Sequence, residues 1–272
     1  MERFKVVVFA TAQSVWIFFR MAGRSLLGAE RFDLIIDKTG LHGLKSRVWL
    51  ERFRAPDGSD ILYRPHDRCI IDEVYGRSVY SGTEISPGQT VVDVGAHIGV
   101  FSLMAARRVG PKGHVVCFEP SPRAAEVLRR NLEANGLSWV RHHAVALAET
   151  EGSADLFVAD DAGNNPAADT LSDTPGRGKV SVRLRRLDDV LAEEGIFSVD
   201  HLKIDVEGAE LRVLDGAPRT LARTRRIAME VHPPRVDPAE VRRRLEALGF
   251  TCRSVSESAD SVILDARRAA AA

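Results

Sequence analysis

Short apolar runs that end in or near an acid, each followed by a glycine or proline turn and then by helical spacing, recur along this chain. The most regular is Thr90-Val91-Val92-Asp93-Val94, which turns through Gly95-Ala96-His97-Ile98-Gly99 into Val100-Phe101-Ser102-Leu103-Met104-Ala105-Ala106. An unbroken apolar run of this length predicts a strand buried on both faces, and the residues after Gly99 predict a helix. His114 to Phe118, ending at Glu119, predicts the second strand. Ser121 then serves as an N-cap and Pro122 as a first helical residue for a helix that ends at Asn135 and Gly136. Val140 to Leu147 and Val180 to Leu184 read as further strands, and Leu187-Asp188-Asp189 opens a helix. Val199 to Ile204 is a core strand that turns through Asp205-Val206-Glu207-Gly208-Ala209-Glu210 into a helix, and Arg226 to His232 is the next strand. A basic amphipathic helix from Pro238 to Leu248 stops at Gly249, and Thr251 to Val255 and Ser261 to Asp265 close the chain as strands. Strands alternating with helices in this way predict an α/β fold with a mostly parallel sheet.

Upstream the pattern differs. Arg47 to Arg54 and Ile61 to Arg64 flank Pro56-Asp57-Gly58-Ser59, the composition of a hairpin turn, and Cys69 to Tyr75 reads as a short helix. Three segments follow from this: a helical extension over 1–45, a hairpin and helix over 46–86, and the main domain over 87–268. Phe4 to Phe19 is apolar nearly all round and lies among Arg3, Lys5 and Arg20. It falls short of the roughly 20 apolar residues of a membrane span. No small-residue cleavage site follows it, so a helix docked on the core or on a second subunit of a homo-oligomer is expected, with membrane contact through residues 4–19 as the other reading. Ala159 to Lys179, rich in Ala, Asp, Asn, Gly and Pro, reads as a lid or substrate loop.

Composition narrows the function. The 38 basic and 38 acidic residues cancel, which disfavours nucleic acid as a partner, and Arg242-Arg243-Arg244 reads as a solvated helix face. Cys69, Cys117 and Cys252 are far apart and odd in number, so neither a disulfide framework nor a zinc site is expected and the cytoplasm is the expected compartment. His142 and His143 have no partner at metal-ligand spacing and are read as structural.

The glycine loop calls for a nucleotide-type cofactor, because such a turn lets backbone approach a ligand closely. A dinucleotide fingerprint needs a middle glycine for the pyrophosphate, and His97 stands there instead. The D-x-G-x-x-x-G spacing suits S-adenosylmethionine, with Asp93 facing the methionyl ammonium, Gly95, Ala96, His97 and Gly99 wrapping the ligand, and Glu119, beside Pro120, accepting from two ribose hydroxyls. The strand ends bring Asp93, Glu119, Leu147-Ala148-Glu149, Asp205 with Glu207, and Glu230 with His232 to one sheet edge, the edge where open α/β sheets bind ligands. A methyl acceptor hydroxyl needs a general base. Asp205 is the first choice, Glu207 orients it or the substrate, and His232 is the third candidate. The alternative is that these three, with Glu230, hold Mg²⁺; the site is read without a metal, since no strict ligand motif is present.

Val92 to Gly99, Phe118-Glu119-Pro120, Leu187-Asp188-Asp189, Leu202 to Glu210 with Val213 to Ala217, and Glu230-Val231-His232-Pro233 together resemble the FkbM family of S-adenosylmethionine-dependent methyltransferases. The resemblance spans roughly residues 60–265 and departs at His97, where the family typically shows Asn. It implies the class I methyltransferase fold, a seven-stranded Rossmann-like sheet with helices on both faces, and O-methylation of a sugar or secondary-metabolite hydroxyl. Two other readings stand beside it: a nicotinamide-dependent oxidoreductase, and a cofactor-binding module without turnover.

Overall fold

The computed structural model describes residues 50–76, 84–158, 169–171, 178–233 and 235–268. The expectations for residues 1–45 and most of those for 159–179 lie outside the described residues. A short hairpin, β1 (Glu51–Arg54) and β2 (Asp60–Tyr63), comes first. A 3-10 turn, Pro65–Asp67, leads into α1 (Arg68–Ile71) and a wide turn, Asp72–Gly76. The alternating core follows as β3 (Thr90–Val94), α2 (Val100–Val109), β4 (His114–Phe118), α3 (Pro122–Ala134) and β5 (Arg141–His143). A side sheet is built from β6 (Ala146–Leu147), β7 (Gly152–Val158) and β8 (Gly178–Arg185). The chain then forms α4 (Leu187–Glu193), β9 (Val199–Ile204), α5 (Glu210–Asp215), α6 (Pro218–Ala222) and β10 (Thr224–Val231). It closes with α7 (Pro238–Ala247), β11 (Phe250–Glu257) and β12 (Val262–Arg268).

The main sheet has seven strands in the order β11-β12-β10-β9-β3-β4-β5. Pairings from β10 through β5 are all parallel, while β12 runs antiparallel to both its neighbours. Central strands in such a sheet are covered on both sides, and accordingly Val92, Phe118, Leu202 and Ile204 are almost completely buried. From β3 the chain steps through α2 and α3 toward β5; from β9 it steps through α5, α6 and α7 the other way. Right-handed crossovers in opposite directions put the two sets of helices on opposite faces. This is the class I methyltransferase arrangement, and β3 beside β9 is its topological switch point.

Two expectations need correction, and two elements, β7 and α6, have no counterpart in the pattern. Val140 to Leu147 is not one strand. The chain leaves the main sheet after His143, and Ala146 and Leu147 pair with Leu184 and Arg185 in the side sheet. Glu149 therefore lies away from the ligand edge, ion-paired to Arg212 at 2.9 Å. β7 has no strong apolar alternation because Leu156 is its one buried residue, and it forms through pairing with β8. The short helix α6 follows Pro218 without a periodic pattern, its first N–H groups, those of Arg219 and Thr220, held by the buried Asp188 carboxylate at 3.0 and 2.7 Å.

The hairpin is tied to the core by two asparagines one helical turn apart, Asn131 on α3 and Asn135 at its C-terminal cap. Asn131 accepts from Leu62 N–H at 2.6 Å and donates to the carbonyls of Leu62 and Ile98 at 3.0 and 2.8 Å. Asn135 serves the N–H and carbonyl of Asp60 at 2.8 and 2.7 Å. Side-chain amides thus complete the free edge of β2, which would otherwise leave strand groups unpaired. Asn131→Ala is expected to cost about 2–4 kcal/mol by leaving these buried groups unmet, and Asn135→Ala less because it is partly exposed; chemical unfolding of the two variants checks the ranking.

Candidate active site

Adjacent strands whose chain exits run in opposite directions leave a crevice beyond their carboxyl ends. At that place lies a cavity of about 230 Å³, walled by residues that follow β3, β4, β9 and β10 and closed on one side by Ile70 and Val74. The loop after β3 is left-handed at Gly95, His97 and Gly99 (φ 78°, 51° and 86°). A Cβ on Gly95 would stand 1.7 Å from the carbonyl oxygen of Asp205, so this loop and the turn after β9 pack backbone against backbone. His97 sits where a dinucleotide loop has its middle glycine, and its side chain lines the cavity. Asparagine and histidine both tolerate the left-handed region, so the departure from the family's residue keeps the backbone path.

Gly95, Ala96, His97, Glu119 and Pro120 all reach the cavity wall. Gly99 lies behind it, as the left-handed residue before α2. Glu119 is buried, its two oxygens accepting the backbone N–H groups of Ser121 and His97 at 2.8 Å each. Burial nonetheless pushes its carboxyl up to about 7, against the pull of those two bonds. Asp93, expected to face a methionyl ammonium directly or through water, does not itself line the cavity. Its side chain is fully buried off the wall, taking the Ser102 hydroxyl at 2.6 Å on one oxygen and Lys203 Nζ at 3.3 Å on the other. Lys203, which sequence reasoning passed over as an interior strand residue, also donates to the Gly95 carbonyl at 2.7 Å and lies 3.4 Å from Asp205. Burial works against its ammonium, but the carboxylates of Asp93 and Asp205 outweigh it and raise its pKa.

Asp205 and Glu207 stand on the wall, and His232 stands behind Glu207. Ligand-type atoms of the three lie within 4.8 Å of one another. Glu207 is also left-handed (φ 54°), which is uncommon for a residue with a side chain and aims the carboxylate out of the turn. Its carboxylate is 3.4 Å from His232 Nε2 and 3.3 Å from Arg235, and its carbonyl accepts from the Thr170 hydroxyl at 2.7 Å. Burial raises the Glu207 and Glu230 carboxyls, with the nearby Asp205 charge adding to both. Burial lowers His232, but Glu210 and Glu207 on its two sides more than reverse this and bring it up to about 9. Glu230 accepts from the Ser261 hydroxyl at 2.5 Å, and Glu210, fully buried, meets His232 Nδ1 at 2.7 Å. Glu210, Arg235 and Thr170 were invisible as site residues in the sequence, since their partners are 22, 28 and 37 positions away.

The donor set serves Mg²⁺ poorly. That ion wants oxygen ligands in octahedral array, whereas here one of three donors is an imidazole and both carboxylates already face cations, Lys203 and Arg235.

Residues 93–252 match the family model described as the methyltransferase FkbM domain. Among relatives, the chain is 31% identical over 242 residues to the 31-O-demethyl-FK506 methyltransferase FkbM of Streptomyces tacrolimicus, covering 74% of this chain and 89% of that one. It is 34% identical over 161 residues to the 2-O-methyltransferase NoeI of Sinorhizobium fredii, covering 53% and 63%. It is also 34% identical over 208 residues, 62% of this chain, to the AMB antimetabolite synthetase AmbE of Pseudomonas aeruginosa, of whose length it spans 9%.

The loop geometry yields a ranking. Gly95→Ala meets backbone, while a Cβ on Gly99 meets the Leu128 side chain at 3.1 Å, which can give way. Both carry the strain of a positive φ, about 1 kcal/mol or more. Gly95→Ala is expected to lower the thermal midpoint further than Gly99→Ala; equal losses would contradict the packing.

Proposed function

The chain belongs to the FkbM methyltransferase family, and on that premise we propose that it transfers a methyl group from S-adenosylmethionine to a hydroxyl of a small molecule, a sugar or a secondary metabolite. One observation carries this reading. The cavity runs past four neighbouring strand ends, with Glu119 after β4 and the carboxylates of Asp205, Glu207 and Glu230 at β9 and β10. Three strand spacings separate the outer two, on the order of 14 Å. That is room for an elongated ligand whose ribose is held at one end and whose reactive centre lies among acids at the other. Two relatives carry oxygen methylation in their names, which favours a hydroxyl acceptor.

The residues present fit the cofactor. Each Glu119 oxygen has a lone pair beyond its backbone bond, enough for a ribose diol, and the acid-rich wall suits a ligand with net positive charge. A dinucleotide is disfavoured because the His97 side chain occupies the place its pyrophosphate needs. When bound, S-adenosylmethionine supplies a methyl on a positively charged sulfur, an electrophile that needs no further activation.

The protein's share is alignment and proton removal. Asp205 packs against the glycine loop and opens onto the cavity, which makes it the base that would take the acceptor hydroxyl's proton, with the methyl supplied by the cofactor when bound. Lys203 fixes Asp205 from below, and Glu207, held between His232 and Arg235, orients the acceptor.

Asp205→Asn is expected to keep S-adenosylmethionine affinity within about twofold while turnover falls roughly 100-fold or more, the size of a lost general base; calorimetry and a methyl-transfer assay on a panel of glycosides read the two quantities. Wild-type rates in this variant would move the base elsewhere. Glu119 gives a pH test. Ribose hydroxyls donate to its ionised form, so cofactor affinity is expected to fall as pH drops through about 7 and to level off above it. Glu119→Gln is expected to weaken binding about 10-fold or more and to flatten that dependence, as calorimetry at pH 6 and pH 8 would show.

A further inference from the structure

Glu210 is the first residue of α5, is fully buried and takes no part in the cavity wall. One of its oxygens accepts from the Gly208 N–H at 2.9 Å and meets His232 Nδ1 at 2.7 Å. Its other oxygen is buried with no hydrogen-bond partner among the described residues. An unpaired buried carboxylate oxygen is costly, so a side chain chosen only to steady the turn would not be a glutamate. On the far side of the ring, His232 Nε2 points at the Glu207 carboxylate, 3.4 Å away. Glu207 in turn occupies a left-handed position that a glutamate adopts only when its surroundings hold it there, here through Thr170 and Arg235 on its carbonyl. The order is a buried acid, an imidazole, and then an acid on the cavity wall.

We propose that Glu210 is a positioning residue for the methyl transfer: by accepting from Nδ1 it sets the plane of His232, so that the doubly protonated ring turns its second N–H, on Nε2, toward Glu207 and fixes that carboxylate on the acceptor side. Glu210 touches neither donor nor acceptor and acts through His232. The Glu210–His232–Glu207 contacts themselves are a property of the resting protein; only their kinetic consequence rests on the methyltransferase reading. A ring held to a carboxylate through Nδ1 keeps one orientation, and losing that grip frees the ring to turn away from Glu207.

Glu210→Gln keeps the shape and an oxygen for Gly208, so the turn survives while the charged acceptor for Nδ1 is lost. Steady-state kinetics of Glu210→Gln, His232→Gln and the double variant, with calorimetry of S-adenosylmethionine, test the proposal. The single Glu210 change is expected to lower kcat roughly 10-fold or more, the size of a lost hydrogen bond to a charged group. Donor affinity is expected to stay within about twofold, and the double variant to be no slower than His232→Gln alone. Unchanged kcat, or effects of the two changes that multiply independently, would overturn it. Nitrogen-15 NMR of the His232 ring in the unmodified protein gives a reading that needs no variant: a strongly downfield Nδ1-bound proton is expected, and its absence would also overturn the proposal. Turnover of the unmodified protein reports on the methyl-transfer reading, while the variant ratios and the spectrum report on Glu210.

Discussion

A buried ammonium holds the two halves of the sheet's ligand edge together. Lys203 extends from β9 under the glycine loop, where it reaches the Gly95 carbonyl and stands between the carboxylates of Asp93 and Asp205. Taking such charges out of water costs several kcal/mol each unless they face one another, and removing one member strands the rest. The glycine loop and the turn after β9 therefore cannot shift independently. The backbone says the same, because Gly95 has no room for even a methyl group against Asp205. Asp93 belongs to this foundation. Its carboxylate, shared between Ser102 and Lys203, supports the loop from beneath.

Above that foundation the site is crowded with negative charge. Asp205, Glu207 and Glu230 share one wall, and burial with mutual repulsion raises the carboxyls of the last two. His232 and Arg235 supply local relief around Glu207. Under the proposed reaction the cofactor arrives with a positive sulfur and leaves as a neutral thioether, so the wall's attraction for it weakens as the chemistry completes. Binding before transfer and release after it are then favoured by the same side chains.

Much of this was legible in the chain. Apolar runs ending near acids marked the core strands, because a strand buried on both faces must be apolar until it emerges at the ligand edge, and β3, β4, β9 and β10 do so at Asp93, Glu119, Asp205 and Glu230. The glycine spacing and the acid beyond β4 pointed to the right class of cofactor. What stayed hidden depends on contacts across the fold. Nothing local says that the run from Val140 to Leu147 breaks after His143 to change sheets, carrying Glu149 away from the edge. Nor could the pattern show that Asp93 would be taken up by a lysine 110 positions on, or that Glu210, one more acid in an acidic motif, would find its partner just past the end of β10.

The amide of Asn131 reaches both Leu62 in the hairpin and Ile98 in the glycine loop. The hairpin is thus not an ornament that could be trimmed away to leave a minimal catalytic core. Cut before β3, the remaining piece would expose a flank of α3 and leave the Asn131 amide without its two Leu62 partners, beside the Ile98 carbonyl that it also holds. A shortened form of this chain that keeps these contacts therefore has to carry that ribbon along.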